Sequence, residues 1–241
     1  MNESWAFWLA LIGAGAWVPQ IIFWFHNWFA KPKLNFVPED KTEIGYTSFG
    51  PILNQFFAIS TSRKDALIER IKLEVVHESG AKYNFLWKFL DERGPEITGP
   101  GGTLEQRKRQ SATALKISIL GLCEKKIGFQ DILYQEKGIE LTNPYREKLA
   151  YFIRTAPTNY QEEILKSNEF LKVLDFIKNE FYWKVGKYVV NLFAFEVSLK
   201  QPHKEQFEFR LSQNDVEQLE RNIIGTQESL KDEVLFSKIM I

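Results

Sequence analysis

Three histidines and one cysteine are the residues of this sequence best suited to nucleophilic or metal chemistry. They are His26, His77, His203 and Cys123. No His-x-x-x-His or Cys-x-x-Cys spacing occurs, so the sequence predicts no zinc site. A cysteine nucleophile needs a histidine beside it in space, and His77 is the candidate partner for Cys123. Unpaired cysteines are more often small buried apolar residues, and we expect that role here.

Two other catalytic motifs are missing from the sequence. There is no Gly-x-Ser-x-Gly segment, and no Gly-Lys-Ser/Thr follows the glycines as a phosphate-binding loop requires. We therefore predict no catalytic, cofactor-binding or metal-binding residue and no cofactor. An enzyme whose site is assembled from scattered residues remains an alternative, and a non-enzymatic protein is preferred.

A short basic cluster is a candidate contact for an anionic partner. It consists of Arg107, Lys108 and Arg109 and lies in the Gly- and Pro-rich stretch 91–111, which we expect to be a long loop. The cluster could contact anionic lipid or an acidic partner, and a solvated loop is the alternative. Over the whole chain, 31 Lys and Arg balance 31 Asp and Glu. This balance argues against a nucleic-acid partner.

Alternating apolar and polar residues predict the strands that would position these groups. The clearest case is a hairpin, in which 67–77 and 82–89 are joined by a turn containing Gly80. The same alternation or an apolar run predicts further strands at 33–37, 53–60, 114–120, 187–199 and 204–211, with a weaker one at 126–132.

Apolar residues at helical spacing predict helices over 144–154 and 159–181, and a last helix beginning near Ser212. The fold class expected from these elements is α+β, mainly β. It would be an antiparallel β-sandwich, immunoglobulin-like or barrel-like, with a helical insertion at about 144–182 and a C-terminal helix. Strand number alone does not separate a sandwich from a barrel.

The N-terminal stretch is the longest uncharged part of the chain. Ser4–Ala30 contains no Asp, Glu, Lys or Arg, and as a helix it would be roughly 40 Å long. We therefore predict a single transmembrane helix, kinked near Pro19, with residues 1–32 as the anchor and 33–241 as one domain. The lipid bilayer would then be a partner. Residues expected at the membrane interface are Trp5, Trp8, Trp24, Trp28, Lys31 and Lys33.

The flanking charges predict the orientation of this anchor. Lysines follow the apolar stretch, so the N-terminus would lie outside and the C-terminal domain in the cytoplasm. Small residues recur at four-residue spacing within the stretch, which would allow two helices to approach closely. The residues that could form such a helix–helix contact are Ala6, Ala10 and Ala14, and ordinary alanines of a membrane helix are the preferred interpretation.

Two functional hypotheses are compatible with this layout, besides an enzyme. The preferred one is a membrane-anchored, non-enzymatic binding or scaffold module at the cytoplasmic face, with a protein partner or a second copy as its target. The other is a membrane effector whose cytoplasmic domain senses a small ligand and drives self-association of the membrane helices.

Overall fold

The computed structural model describes residues 17–22, 24–25, 30–47, 50–99, 102–155, 160–229 and 237–241. Residues 17–22 and 24–25 are helical. The strands among the described residues are β1 Lys33–Thr47, β2 Gly50–Ser62, β3 Ala66–His77, β4 Lys82–Gly99, β5 Gly102–Ser111, β6 Leu115–Ile117, β7 Cys123–Asp131, β8 Gly186–Glu196, β9 His203–Leu211 and β10 Ser237–Met240. The helices that follow β7 are α1 Ile132–Thr155, α2 Tyr160–Leu165, α3 Asn168–Asn179 and α4 Gln213–Ser229.

All described strands belong to one antiparallel sheet that curves into a nearly closed barrel. The strand order is β10-β1-β2-β7-β4-β3-β8-β9, with β5 paired to β4 and β6 paired to β3. We call the end that carries Lys33, Ser62, Ala66 and Cys123 the basal end, and the opposite end the upper end. The register of the ladders places these four residues on the same side.

Alternating residues of each strand fill the inside of this sheet. In β8, Tyr188, Val190 and Leu192 are fully buried, while the residues between them are partly or fully exposed. Phe57 and Phe207 meet across the interior, with ring centroids 6.1 Å apart. The inner face is therefore a packed apolar core, which is the principal source of stability in such a domain.

The predicted hairpin over 67–77 and 82–89 is confirmed. It is formed by β3 and β4, which pair antiparallel from Lys72 opposite Leu86 to Val76 opposite Lys82. Gly80 has a φ of 89°, a left-handed conformation that glycine adopts at low cost in a tight turn.

The helices α1 and α3 are attached to the upper end through buried polar contacts. Asp131 Oδ1 accepts a hydrogen bond from the Tyr134 amide at 3.0 Å and so caps the start of α1, while Oδ2 accepts one from the Tyr182 hydroxyl at 2.8 Å. Burial raises the pKa of Tyr182, which keeps this hydroxyl a donor. Tyr46 in β1 donates to the Ile177 carbonyl of α3 at 2.6 Å.

The sheet closes through side chains rather than through a hydrogen-bonded ladder. No ladder joins β9 to β1 or β10 among the described residues. At this seam the His203 ring of β9 stacks on Phe36 of β1 with centroids 5.6 Å apart. The buried residues Val216, Leu219 and Ile223 of α4 join the same core.

The structure corrects the expected immunoglobulin-like β-sandwich. The ladder runs without a break from β2 through β7 and β4 to β3, so the strands form one curved sheet instead of two packed ones. Alternation reveals that one face of each strand is buried, but it does not reveal which strands are neighbours. The two-sheet prediction was therefore wrong, whereas the antiparallel, mainly β content is confirmed.

The predicted single transmembrane helix is also not supported. None of the helices in the described part of the chain has the length and apolarity needed to cross a membrane. The prediction relied on an uncharged, mostly apolar run, whereas a span requires sustained apolarity, and Pro19 and Gln20 interrupt that run. The transmembrane-helix and single-pass predictions are thus wrong, whereas the predicted localisation, with the N-terminus outside and the C-terminal domain in the cytoplasm, is not tested and stays a prediction. The division into 1–32 and 33–241 is not tested by these findings and stays a prediction.

The stretch 91–111 is not a loop. β4 continues to Gly99 and β5 returns from Gly102, so the Gly- and Pro-rich segment forms a long hairpin. The register shifts between Arg93 and Glu96, next to Pro95, where the ladder tolerates an irregularity. Helix likewise begins at Ile132, before the expected helical insertion.

Candidate functional site

Four side chains form a row across the outer face of the sheet. Phe56 of β2, Lys126 of β7, Asp91 of β4 and Arg109 of β5 lie opposite one another in successive ladders. Each is on the outer face because its strand neighbours, such as Phe57 and Ile127, fill the core. Across four adjacent strands, the row therefore consists of an aromatic ring, a cation, a carboxylate and a second cation.

Lys126 is deeply buried for an outer-face lysine. Its side chain is 7% exposed, its ammonium group forms an ion pair with Glu43 of β1, and it lies 5.5 Å from the centre of the Phe56 ring. Asn54 Nδ2 donates to Glu43 Oε2 at 3.3 Å, while Asn54 Oδ1 is buried without a hydrogen-bond partner among the described residues. The charge of Lys126 is thus largely neutralised by Glu43.

Arg109, the other cation of the row, forms a bidentate ion pair with Asp91. Arg109 Nε and Nη2 each donate to a different oxygen of Asp91 at 3.0 Å, and the guanidinium lies 4.0 Å from the centre of the Phe89 ring. The hydrogen bonds to Asp91 raise the pKa of Arg109. The Phe89 ring occupies the space above Gly128, where a Cβ would lie 2.0 Å from Cζ. Glycine is required at this position for the ring to lie flat on the sheet.

A groove of about 230 Å³ lies beside this row. The pairing of β1 with β2 shifts between Pro38 and Thr42, and the adjoining segment Val37–Glu39 forms the β1 wall of the groove. Phe56 and Ala58 of β2 form an apolar floor, and Glu124 of β7 stands on the opposite wall. The groove thus combines an apolar floor with two rim carboxylates, Glu39 and Glu124.

The basic cluster predicted from the sequence lies in β5. Arg107 and Lys108 pair with Arg93 and Glu92 in the ladder, and Arg109 binds Asp91. Because the Arg109 charge is already matched by a carboxylate, the cluster is not three free cations in a loop. Its contact with an anionic partner is untested and stays a prediction.

The predicted anchor residues fall mostly outside the described part of the chain. Trp24 is described and is 58% exposed, and Lys31 and Lys33 are exposed at the start of β1. Those outside the described residues are Trp5, Trp8, Trp28, Ala6, Ala10 and Ala14.

His77 and Cys123 lie at opposite ends of the sheet. His77 is the last residue of β3 at the upper end, whereas Cys123 begins β7 opposite Ile59 at the basal end. The ladders place roughly 30 Å of strand between them, so they do not form a nucleophile–base pair. Burial raises the pKa of the Cys123 thiol, which disfavours the reactive thiolate. No group of three metal-ligating side chains is found within the described ranges.

The sequence pattern gave no indication of the groove or of the row beside it. Glu43 and Asn54 lie eleven residues apart in the chain but become neighbours through the β1–β2 ladder. Lys126 lies still further from Glu43, and only the order of strands brings them together. The one available signal was a pair of charged residues, Lys125 and Lys126, directly before the buried residues 127–129 of the same strand.

Comparisons with known proteins leave the family open. No family model matches the chain, and no curated protein matches it. Among solved structures, the chain is similar to a family 123 glycoside hydrolase from Clostridium perfringens that was studied for glycolipid glycan hydrolysis. The identity is 10% and the TM-score 0.34, and the match covers 76% of this chain. The chain spans 27% of the length of that protein, and a likeness at this level carries no functional argument.

Proposed function

We propose that this protein is a non-enzymatic binding module that holds a basic, partly apolar segment of a partner protein in the outer-face groove. The observation that carries the proposal is the apolar floor, Phe56 and Ala58, beside the exposed carboxylate residue Glu124. A lysine or arginine side chain fits this pattern, because its methylene stem is apolar and its head group is a cation.

The size of the groove favours a side chain over a whole small molecule. Pockets for drug-sized ligands typically occupy about 300–1,000 Å³, and this groove measures about 230 Å³. It would therefore bury one or two side chains, as an anchor site at the centre of a protein interface does.

The charges around the groove favour a cationic guest. Lys126 is the cation beside the floor, and its ion pair with Glu43 neutralises it. Glu124 is an exposed residue of the groove lining, and its carboxylate would then attract a basic segment toward the groove.

The test is binding of labelled peptides to the full chain, followed by fluorescence anisotropy. A peptide with Lys and Arg between apolar residues is expected to bind, and its affinity should fall as the salt concentration rises. An acidic peptide of the same length is not expected to bind. Glu124→Gln should weaken binding about threefold, the loss of one exposed ion pair. Ala58→Trp should abolish it by filling the floor.

The matched control is Glu136→Gln, which removes an exposed carboxylate from α1 at the upper end and should leave binding unchanged. Circular dichroism should give the same spectrum for each variant. Equal affinity for acidic and basic peptides would contradict the proposed guest. Turnover of phosphoester, ester, peptide or glycoside substrates that Ala58→Trp abolishes would contradict a non-enzymatic role.

A further inference from the structure

The loop between β6 and β7 exposes more apolar surface than its surroundings. Leu120 is 97% exposed, Leu122 65% and Ile119 43%. The loop is held in place: the Gly121 amide donates to the Ser118 carbonyl at 2.9 Å, and the Ile119 amide donates to Asp65 Oδ1 at 2.9 Å. These apolar side chains are therefore presented to the outside by a fixed turn.

Two neighbouring apolar residues extend this surface at the basal end. Leu67 lies opposite Lys116 in the β3–β6 ladder, and its carbonyl accepts a hydrogen bond from the Val197 amide at 3.2 Å. Leu67 is 41% exposed and Val197 55%. We call the five exposed apolar residues the basal tip: Leu67, Ile119, Leu120, Leu122 and Val197.

Basic side chains surround the basal tip. Lys33 lies at the start of β1, opposite Ser62 at the end of β2, and Arg63 and Lys64 follow Ser62 in the chain. Lys116 is the second residue of β6. All four cations belong to exposed residues. Glu69 is exposed on β3, whereas Asp65 accepts a hydrogen bond from the Ile119 amide and lies 3.8 Å from the Lys116 ammonium.

A further carboxylate at this end, that of Glu196, also accepts hydrogen bonds from the backbone. Glu196 is 7% exposed, and its oxygens accept hydrogen bonds from the Leu67 and Ser198 amides at 3.4 and 2.8 Å. Glu124 follows the loop but lies on the wall of the groove. The exposed rim carries four cations, Lys33, Arg63, Lys64 and Lys116, against two exposed carboxylates, Asp65 and Glu69, so its net charge is positive.

We propose that the basal tip docks on an anionic lipid surface, with its leucine and isoleucine side chains at the headgroup boundary and its lysines and arginine on the phosphates. Apolar residues beside a basic rim suit such a surface in both respects. The proposal concerns a loop and requires no helix across a membrane.

Two observations favour lipid over a protein partner. A protruding tip of five side chains is small beside the roughly 800 Å² per partner that a stable protein interface needs. The uncharged stretch that precedes Lys31 also joins the domain at the basal end, where β1 begins, and its described residues Trp17 and Ile22 are 67% and 62% exposed.

The test uses the full chain with a polarity-sensitive fluorophore on a single cysteine. Cys123→Ser with Leu120→Cys places the probe on the basal tip. Cys123→Ser with Leu133→Cys places it on α1, where Leu133 is 61% exposed at the opposite end. Each protein is mixed with vesicles of phosphatidylcholine alone or of phosphatidylcholine with phosphatidylserine. Both labelled proteins retain the N-terminal stretch, so a difference between them reports on the tip.

We expect a blue shift for the probe at position 120 on the phosphatidylserine vesicles, and none at position 133. Replacing two rim cations, Lys33→Gln and Lys64→Gln, should reduce the salt-sensitive affinity of the protein for the vesicles about 25-fold, since each lysine at an anionic leaflet contributes about fivefold. An equal response on both vesicle types, an equal response at both positions, or no response at position 120 would overturn the proposal. A blue shift at position 120 that appears without vesicles and grows with protein concentration would show that the basal tip binds a second copy of the chain. That result would also overturn the proposal.

Discussion

Single side chains on the outer face carry charge in surroundings that offer little water. Lys126 and Asp91 are both less than one-tenth exposed, although their strands face outward at these positions. Each is tolerated because a partner of opposite charge is in contact, Glu43 for Lys126 and Arg109 for Asp91. Removing one partner from such a pair is more harmful than removing both.

The Lys126–Glu43 pair gives a prediction about stability. Lys126→Met should lower the free energy of unfolding by about 2 kcal/mol, because Glu43 remains a partly buried carboxylate without its cation. Adding Glu43→Gln should recover part of that loss. The measurement is urea unfolding of the four proteins of the double-mutant cycle, and a strictly additive cycle would show that the pair is not coupled.

A second prediction concerns the glycine beneath Phe89. Gly128→Ala places a methyl group within 2.0 Å of the ring and should destabilise the protein by about 1–3 kcal/mol, since the ring has to leave its position. Phe89→Leu in the same chain should relieve most of this cost. Gly225→Ala is the control, because a Cβ there meets no atom within 4 Å. Equal unfolding midpoints for the two alanine variants would contradict the close approach.

At the scale of elements, one carboxylate connects the helices to the sheet. Asp131 ends β7, caps α1 by accepting a hydrogen bond from the Tyr134 amide, and accepts another from the Tyr182 hydroxyl. The strand, the helix and the segment after α3 are thus positioned by two oxygens of one side chain. Strand β7 also contributes Glu124 to the lining of the groove. The helices therefore contact the upper end of a strand that lines the groove near its basal end.

The third prediction tests this connection. Asp131→Ala should cost about 2–3 kcal/mol, because the helix loses its cap and a buried tyrosine hydroxyl loses its acceptor. Asp131→Asn keeps a side-chain oxygen and should cost less. The comparison is made by thermal and urea unfolding against Asp175→Ala, an exposed aspartate on α3. Similar losses for Asp131→Ala and Asp175→Ala would contradict the role of Asp131.

For the whole molecule, the seam between β9 and β1 decides how firmly the sheet is closed. His203 stacks on Phe36 there, and its Nε2 lies 3.6 Å from the Glu205 carboxylate. Burial lowers the pKa of His203 below its usual range, although the charge of Glu205 opposes this. The neutral imidazole is therefore the form that the closed seam accommodates.

The fourth prediction follows from the sign of that shift. Because the folded pKa lies below the unfolded value of about 6.5, the contribution of His203 is present above that pH and is lost as the pH falls through the folded pKa. Amides of β9 and β10 should then exchange faster with solvent at about pH 5 than at about pH 7, relative to β3, after correction for the intrinsic exchange rates. His203→Phe should remove the difference, and a difference that persists in this variant would contradict the assignment.

The sequence by itself determined most of the local structure. Period-two alternation located the hairpin of β3 and β4 and the closing strands β8 and β9, because the burial of alternate side chains is a property of each strand. The sequence also shows directly that there is one cysteine and no zinc-ligand spacing. Local patterns failed where charged, Gly- and Pro-containing sequence forms the β4–β5 hairpin, since pairing with a neighbour outweighs weak strand propensity.

Only the tertiary structure decided which strands are neighbours, and with that the candidate site. The order that places β7 between β2 and β4 joins Lys126 to Glu43 and sets Glu124 opposite the β1 bulge. The same order separates His77 from Cys123 and collects the basal tip from two connections and the start of β3. These contacts span long distances in the chain, and register and strand order arise from the packing of the whole core, which no local pattern encodes.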